Sequence, residues 1–223
     1  METLLDNYLN VEILARYLPS ILAGFWMTVR VALATIVIGV GVGLALATIR
    51  ALRIRPVNVA IVIWVDIFRT LPQLVVIIAA FFALPYAGIR LTPFWATVIA
   101  LGAVLSAFST EAFWAAILAI PAGQWDAARA LGLRFLPTFF RVILPQAIRL
   151  AVPLLANRAI AITKGTALGT AVSLPEVLGA AQSAMAIAAN PSPLTLAAAF
   201  YLLFFVPLVV ASRWLETRAA PAR

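Results

Sequence analysis

The residues of this chain that could do chemistry are a few charged and polar side chains set in long apolar runs. The chain contains no His and no Cys, which removes imidazole and thiolate metal ligands, cysteine nucleophiles and histidine-based proton transfer. We expect no metal site, no cofactor and no catalytic centre in this chain. An ionisable side chain inside a membrane is costly, so it is a functional candidate by default. The candidates are Asp66, Arg69, Glu111, Asn157, Arg158, Thr163 and Lys164.

The spacing of the acidic candidates limits their partners. Asp66 and Arg69 are three residues apart, so on a helix they share a face and can form an ion pair. That pair either satisfies itself within a helix bundle or lines a solute path. Glu111 has no opposite charge within a helical turn. We expect its partner on another helix, at Arg158 or Arg149, where the pair shapes a path or gate or holds helices together.

Polar side chains also cluster late in the chain. Asn157, Arg158 and Thr163 lie within two helical turns, and Lys164 follows directly. Hydrogen-bond donors near the middle of a membrane suit a zwitterionic or anionic solute. We expect Arg158 near the middle of its span and Lys164 near the outer end. Stabilisation of the helix is the competing interpretation.

The elements that must position these residues are membrane-spanning helices. Of the 223 residues, 65% are hydrophobic and 11% are charged, against about 45–50% and about 25% in a soluble domain. A soluble fold of this size could not bury so much apolar surface, which excludes a soluble enzyme and a disordered chain. The net charge of +8 comes mostly from basic residues at the ends of apolar runs. That distribution is typical of membrane topology and not of nucleic-acid binding.

A hydrocarbon core needs about 20 apolar residues per helix, and the chain offers five such segments. We predict an all-α bundle that forms one transmembrane domain over 20–218. Residues 1–19 form an interfacial helix or one packed on the bundle, and 219–223 form a tail. A shorter helix over 174–189, opened by a capping box of Ser173 and Glu176, lies on the outer surface or dips partway in. The spans are predicted at 20–49, 57–84, 93–120, 142–162 and 194–213, with a loop at 121–141.

Basic residues set the predicted orientation. Nine of the 16 Lys and Arg residues lie in the segments 50–56, 124–141 and 213–223. The positive-inside rule places these segments in the cytoplasm, with the N-terminus outside and the C-terminus inside. A sixth span at 174–189 would export the basic tail. The nine residues are Arg50, Arg53, Arg55, Arg129, Arg134, Arg141, Arg213, Arg218 and Arg223.

The loop at 121–141 is the most informative segment. Small and apolar residues recur there at helical spacing, while Arg129 and Arg134 lie off the stripe. Small residues on such a face let another backbone approach closely. A solvated helix that only connects two spans is the alternative. The stripe consists of Ala127, Ala128, Leu131, Gly132 and Phe135.

Asp126-Ala-Ala128, Gly132 and, after nine further residues, Val142-Ile-Leu-Pro145 resemble the cytoplasmic loop of the membrane subunits of ATP-driven (ABC) importers. That family pattern begins Glu-Ala-Ala and ends Ile-x-Leu-Pro. The wider block over 120–133, together with 142–149, resembles the polar amino acid permease branch, and so do Phe68-Arg-Thr-Leu-Pro72 and the Thr110-Glu111 pair. Arg213-Trp-Leu-Glu-Thr-Arg218 resembles the usual tail of that branch. The chain departs from that branch at Trp114-Ala-Ala116, where Arg-Gly-Gly is common, and at Lys164-Gly-Thr-Ala-Leu168, where Lys-Asp-Thr-Ser-Leu is common.

The resemblance implies a five-helix bundle of the type I importer kind in a prokaryotic plasma (inner) membrane. It also implies that the loop forms a coupling helix on a cytosolic ATP-binding subunit. The other implied partners are a second permease subunit, identical or related, an extracytoplasmic solute-binding protein and an amino acid. The chain has no Gly-x-x-x-x-Gly-Lys-Ser/Thr phosphate loop, so it is not expected to hydrolyse ATP. The residues expected to couple are Gln124, Asp126, Ala127, Ala128, Leu131, Gly132 and Pro145.

A second class of function is open at this point. A secondary carrier or channel for a small polar solute would not need the loop pattern. It would instead need a site for a coupling ion within its own chain.

Overall fold

The computed structural model of the chain describes residues 6–219, which are mostly helical, with no strand in that range. The predicted structure at residues 1–5 and 220–223 lies outside the described residues. The helices are α1 (Val11–Ala51), α2 (Arg55–Thr70), α3 (Gln73–Ile78), α4 (Pro93–Ala119), α5 (Ala122–Ala130), α6 (Phe135–Thr138), α7 (Leu144–Thr163), α8 (Val177–Ala188) and α9 (Ser192–Ala219). Short π-helical segments follow α3 (Ala79–Ala83) and precede α7 (Phe139–Ile143). Segments of 3-10 helix cover Leu84–Ala87 and, directly after α7, Lys164–Val172.

Four helical stretches in the described part of the chain are long and apolar enough to cross a membrane. They are Asp6–Ala51, Pro93–Ala119, Phe135–Val172 and Ser192–Trp214. A fifth crossing requires α2 and the stretch Gln73–Ala87 to count as one span, bent by 109°. Pro72 explains the break, because it has no N–H to donate and disfavours helix in the residue before it. The predicted span at 57–84 is therefore two helices that meet at an angle.

The first helix is longer than the span predicted for it. Asn10 caps α1 by accepting a hydrogen bond of 3.1 Å from the backbone N–H of Ile13. From there α1 runs 41 residues to Ala51, with Pro19 inside it. Residues 11–19 thus continue into the first span without a break, and a separate helix is not formed there.

The central helix of the bundle is α4, on which α1, α2, α3 and α7 all pack. Two glycines let α1 approach it closely. A Cβ built on Gly39 would lie 2.6 Å from the Cβ of Leu105, and one built on Gly43 would lie 2.3 Å from the Cβ of Ser109. Separations this short do not occur between real side chains, so only glycine fits this packing at both positions.

The predicted capping box at Ser173 is wrong. Ser173 has φ +60 and ends the preceding turn of helix, so it cannot open the next one. Glu176 is itself the N-cap of α8, and its Oε1 accepts a hydrogen bond of 2.8 Å from the N–H of Gly179. The helix that follows has 12 residues, fewer than a crossing needs.

Candidate functional site

A charge cluster forms where the ends of α1 and α2 meet α4. Oε1 of Glu111 lies 2.7 Å from Nη1 of Arg50, and Oε2 lies 3.8 Å from Nη1 of Arg69. The guanidinium of Arg50 also lies 4.7 Å from the centre of the Trp114 ring. Arg50 is thus the main partner of Glu111, because only that contact is within hydrogen-bond distance.

The predicted partners of Glu111, Arg158 and Arg149, are therefore wrong. The face of α4 that carries Glu111 packs against α1 and α2, and the arginines in the last turns of those two helices reach it first. A positive charge is also favourable at the C-terminal end of each helix. Arg50 is 61 positions from Glu111 in the sequence, so helical spacing could not reveal the pair.

Arg158 lies against the ring of Phe108, which is one helical turn before Glu111 on α4. Its guanidinium carbon is 5.0 Å from the centre of that ring, and the guanidinium carbon of Arg69 is 5.4 Å from the same centre. Two cations therefore share one aromatic ring, which attracts each of them electrostatically. Among the described residues, no carboxylate forms an ion pair with Arg158.

Asp66 does not pair with Arg69, so the ion pair predicted from their spacing is wrong. The structure shows no ion pair between them among residues 6–219. Arg69 instead turns toward Glu111 and Phe108. The side chain of Asp66 is exposed, and its backbone carbonyl accepts a hydrogen bond of 2.7 Å from the hydroxyl of Thr70.

The polar residues of α7 point in different directions. Asn157 accepts a hydrogen bond of 2.7 Å from Ser212 on α9, and Nζ of Lys164 lies 5.8 Å from the centre of the Phe205 ring, also on α9. Thr163 is buried, and its hydroxyl donates to the carbonyl of Ala159 at 2.8 Å. Of these four candidates, only Arg158 therefore lies next to the charge cluster, through its contact with Phe108.

The helix around Lys164 runs past residue 162, where the fourth span is predicted to end. The helical stretch that contains it continues to Val172, and its partner Phe205 is near the middle of α9. The sequence did not indicate this extension, because Gly165 and Gly169 resemble a helix stop.

The loop helix α5 packs on the bundle through one face and exposes the other. The Trp125 ring stacks on Phe135, with centroids 5.8 Å apart, and Ala128 is buried. On the other side Ala127 is exposed and Leu131 is 81% exposed. The predicted single stripe is wrong because α5 ends at Ala130 and Gly132 has φ +77, so helical spacing does not continue to Phe135.

The remaining predicted coupling residues lie close to α5. Asp126 pairs with Arg129 at 2.5 Å, and both side chains are mostly exposed. Gln124 accepts a hydrogen bond of 3.3 Å from Nε2 of Gln146. Gln146 follows the exposed Pro145 in the first turn of α7. These contacts fasten the start of α5 to the start of α7 and leave a polar, solvent-accessible surface.

Glu176 forms a buried carboxyl site at the other end of the bundle, which the sequence analysis did not predict. Glu176 has no exposed surface. Its Oε2 accepts a hydrogen bond of 2.6 Å from the hydroxyl of Tyr201 and one of 3.3 Å from the hydroxyl of Thr28. It thereby joins α8 to α9 and α1. The signal available was a lone glutamate in an apolar region, the same signal that selected Glu111.

Comparisons with known proteins agree with this architecture. The family model described as "Binding-protein-dependent transport system inner membrane component" matches residues 38–221. The chain is 34% identical to the probable glutamine ABC transporter permease protein GlnP of Bacillus subtilis (strain 168) over 199 residues, which cover 87% of this chain and 91% of the relative. It is 32% identical to the L-cystine transport system permease protein TcyB of the same organism over 164 residues, 74% of this chain and 70% of the relative.

A solved structure described as an amino acid ABC transporter with histidines has the same fold. Its chain is 27% identical, with a TM-score of 0.82, and the match covers 92% of this chain and 96% of that chain. The region matched by the family model includes α4, α5 and α7, so it contains both the charge cluster and the loop helix.

Proposed function

The chain belongs to the family of binding-protein-dependent transport system inner membrane components, and we propose that it forms the translocation path of an ATP-driven amino acid importer. The names of its relatives support an amino acid as the solute. The observation that carries the proposal is the charge cluster of Arg50, Arg69 and Glu111 beside the break between α2 and α3. Arg158 lies next to this cluster, against the ring of Phe108.

The break places charged groups where a solute could use them. A helix interrupted within a membrane is tolerated where it lines a cavity or packs on protein, and such breaks commonly form transport sites. Arg69 is in the last turn of α2, directly before the break, and its side chain is 43% exposed. Since an exposed guanidinium facing lipid would be costly, we propose that this surface faces the solute path.

We further propose that α5 is the coupling helix for a separate ATP-binding subunit. Its buried face, with Trp125 and Ala128, holds it on the bundle, while Leu131 is exposed without cover. A leucine 81% exposed on a polar loop favours a protein partner. In this proposal the docking surface consists of Gln124, Asp126, Ala127, Leu131, Gly132 and Pro145, with Ala128 as an anchor beneath it.

The complete importer in this proposal contains two permease subunits facing each other about a two-fold or pseudo-two-fold axis. Each crosses the membrane five times, with α2 and α3 together making one crossing. A solute-binding protein delivers the amino acid on the outer side, and α5 lies in the cytoplasm.

Uptake into proteoliposomes tests the proposal against a secondary carrier. The chain is reconstituted with and without its ATP-binding subunit, and labelled amino acids are supplied outside together with the binding protein. We expect accumulation only when both subunits and internal ATP are present, and none with a non-hydrolysable ATP analogue. Equal flux through the permease alone would contradict the proposal and favour a carrier or channel.

A further inference from the structure

We infer that the solute is an acidic amino acid, whose two carboxylates are bound by the guanidinium groups of Arg158 and Arg69. This inference rests on the proposed function, because it assumes that the surface around Phe108 lines the path. It goes further by deriving the class of solute from the charges that this surface leaves unpaired.

The charge balance at Phe108 leaves two cations available. Arg50 neutralises Glu111 through the hydrogen bond of 2.7 Å. Arg69 approaches Glu111 only to 3.8 Å, which is beyond hydrogen-bond distance, so its N–H groups remain free to bind another acceptor. Arg158 is exposed and contacts the ring of Phe108, and no described carboxylate pairs with it.

In this proposal an exposed carboxylate of α2 adds one negative charge to the set. Asp66 is exposed and lies one helical turn before Arg69 on α2. Its carboxylate has no hydrogen bond or ion pair with the residues that the structure describes. Two guanidinium groups and one carboxylate are complementary in charge to a molecule with two carboxylates and one ammonium group, which is an acidic amino acid.

Other amino acids match this set less well. A neutral amino acid has one carboxylate and would leave one of the two guanidinium groups desolvated and unpaired when the path closes. A cationic amino acid would add a positive charge next to two others, and like charges in a low-dielectric site repel strongly. Guanidinium groups are also suited to bidentate binding of carboxylates.

Direct binding to the assembled permease–ATPase complex in nanodiscs, without the solute-binding protein, tests the inference. The probes are L-glutamate, L-aspartate, L-glutamine and L-arginine. Glutamine is the neutral isostere of glutamate, so their ratio reports the side-chain carboxylate. We expect glutamate or aspartate to bind at least about tenfold more tightly than glutamine, since a charge-assisted hydrogen bond is lost with the amide, and arginine not to compete.

Variants test whether Arg158 is responsible for the preference for glutamate over glutamine. Arg158→Gln should lower glutamate affinity about tenfold and glutamine affinity much less, and Arg158→Lys should restore part of the preference. Arg149→Gln removes an exposed arginine from the same helix, away from Phe108, and should leave the ratio unchanged. A loss of both ligands to the same extent in Arg158→Gln would indicate a structural role and overturn the inference.

The outcomes separate this inference from the proposed function. ATP-dependent uptake of a neutral or cationic amino acid in preference to an acidic one would overturn the acidic solute and leave the importer proposal standing. The absence of ATP-dependent uptake for every amino acid would overturn both.

Discussion

Arg50 and Glu111 are joined by a hydrogen-bonded ion pair of 2.7 Å between the last turn of α1 and the C-terminal half of α4. Arg50 is held in place by two groups, because its guanidinium also lies 4.7 Å from the centre of the Trp114 ring. The pair links α1 to α4. Because it occupies the Glu111 carboxylate, Arg69 and Arg158 remain available to bind other partners.

We predict that this pair is energetically coupled. Glu111→Gln and Arg50→Gln should each destabilise the solubilised protein by about 1–3 kcal/mol, because each leaves a partly buried charge without its partner. The double variant should lose clearly less than the two single losses together. Glu111→Gln combined with Arg149→Gln serves as the control and should be additive. Thermal unfolding in detergent measures all of these, and additive losses for Glu111 and Arg50 would contradict the pairing.

The close approach of α1 to α4 gives a prediction with a matched control on the same helix. Gly43→Ala should destabilise the bundle by about 1–3 kcal/mol, because its Cβ would lie 2.3 Å from the Cβ of Ser109 and 2.9 Å from the carbonyl oxygen of Ser106. Gly41→Ala places a Cβ in open space and should be neutral or stabilising by up to about 1 kcal/mol. Melting temperatures of the two variants test this, and equal shifts would contradict the packing of α1 on α4.

The buried carboxylate at Glu176 should be a stability determinant. Tyr201→Phe removes the hydrogen bond of 2.6 Å to it and should cost about 1.5–3 kcal/mol, the usual contribution of a hydrogen bond to a charged group. Tyr86→Phe removes a hydroxyl from a tyrosine that is 95% exposed and should have no effect.

Glu176→Ala should lower the free energy of unfolding more than Tyr201→Phe does, because it also removes the N-cap of α8. We expect hydrogen exchange to increase across 177–188 in this variant and less in Tyr201→Phe. Unchanged exchange in α8 would contradict the role of Glu176 as its cap.

The exposed side of α5 should decide association with the ATP-binding subunit. Leu131→Ser removes a side chain that is 81% exposed, so folding should be unaffected while co-purification of the ATP-binding subunit and uptake are both lost. Leu9→Ser alters a leucine that is 48% exposed far from α5 and should leave both intact.

Two further variants test the same surface. Gly132→Trp and Asp126→Lys should leave the subunit in the membrane but lower association and abolish uptake. Gly132 has φ +77, so part of its effect is backbone strain of about 1–2 kcal/mol. Asp126→Lys carries no such strain, and normal co-purification of the ATP-binding subunit with it would count against the coupling role.

Topology remains a prediction from the distribution of Arg and Lys. The chain has no Cys, so single cysteines can be placed without background. A Cys at Asn7 should react with an impermeant thiol reagent added to intact cells, while a Cys at Ala222 should react only after the cells are opened. Reaction at residue 222 from outside would contradict five crossings with a cytoplasmic C-terminus.

Composition and periodic apolar runs were sufficient to determine that the chain is a helical membrane protein, because lipid imposes its length and polarity requirements on each helix separately. The loop pattern from Asp126 to Pro145 was sufficient to indicate the family. Both are local properties, so they can be read from the sequence without knowledge of the tertiary contacts.

The charge pairing was decided by tertiary structure. Glu111 is 61 positions from Arg50 in the sequence. Only the packing of α1 and α2 on α4 brings Arg50 and Arg69, and not Arg158, into contact with its carboxylate. The same reason explains Glu176, whose partners Thr28 and Tyr201 come from the first and last helices. In a bundle of apolar helices, most buried polar groups find their partners inside the protein. Which of them meet depends on how each helix is rotated about its axis, and that rotation is set by contacts such as those of Gly39 and Gly43 with α4.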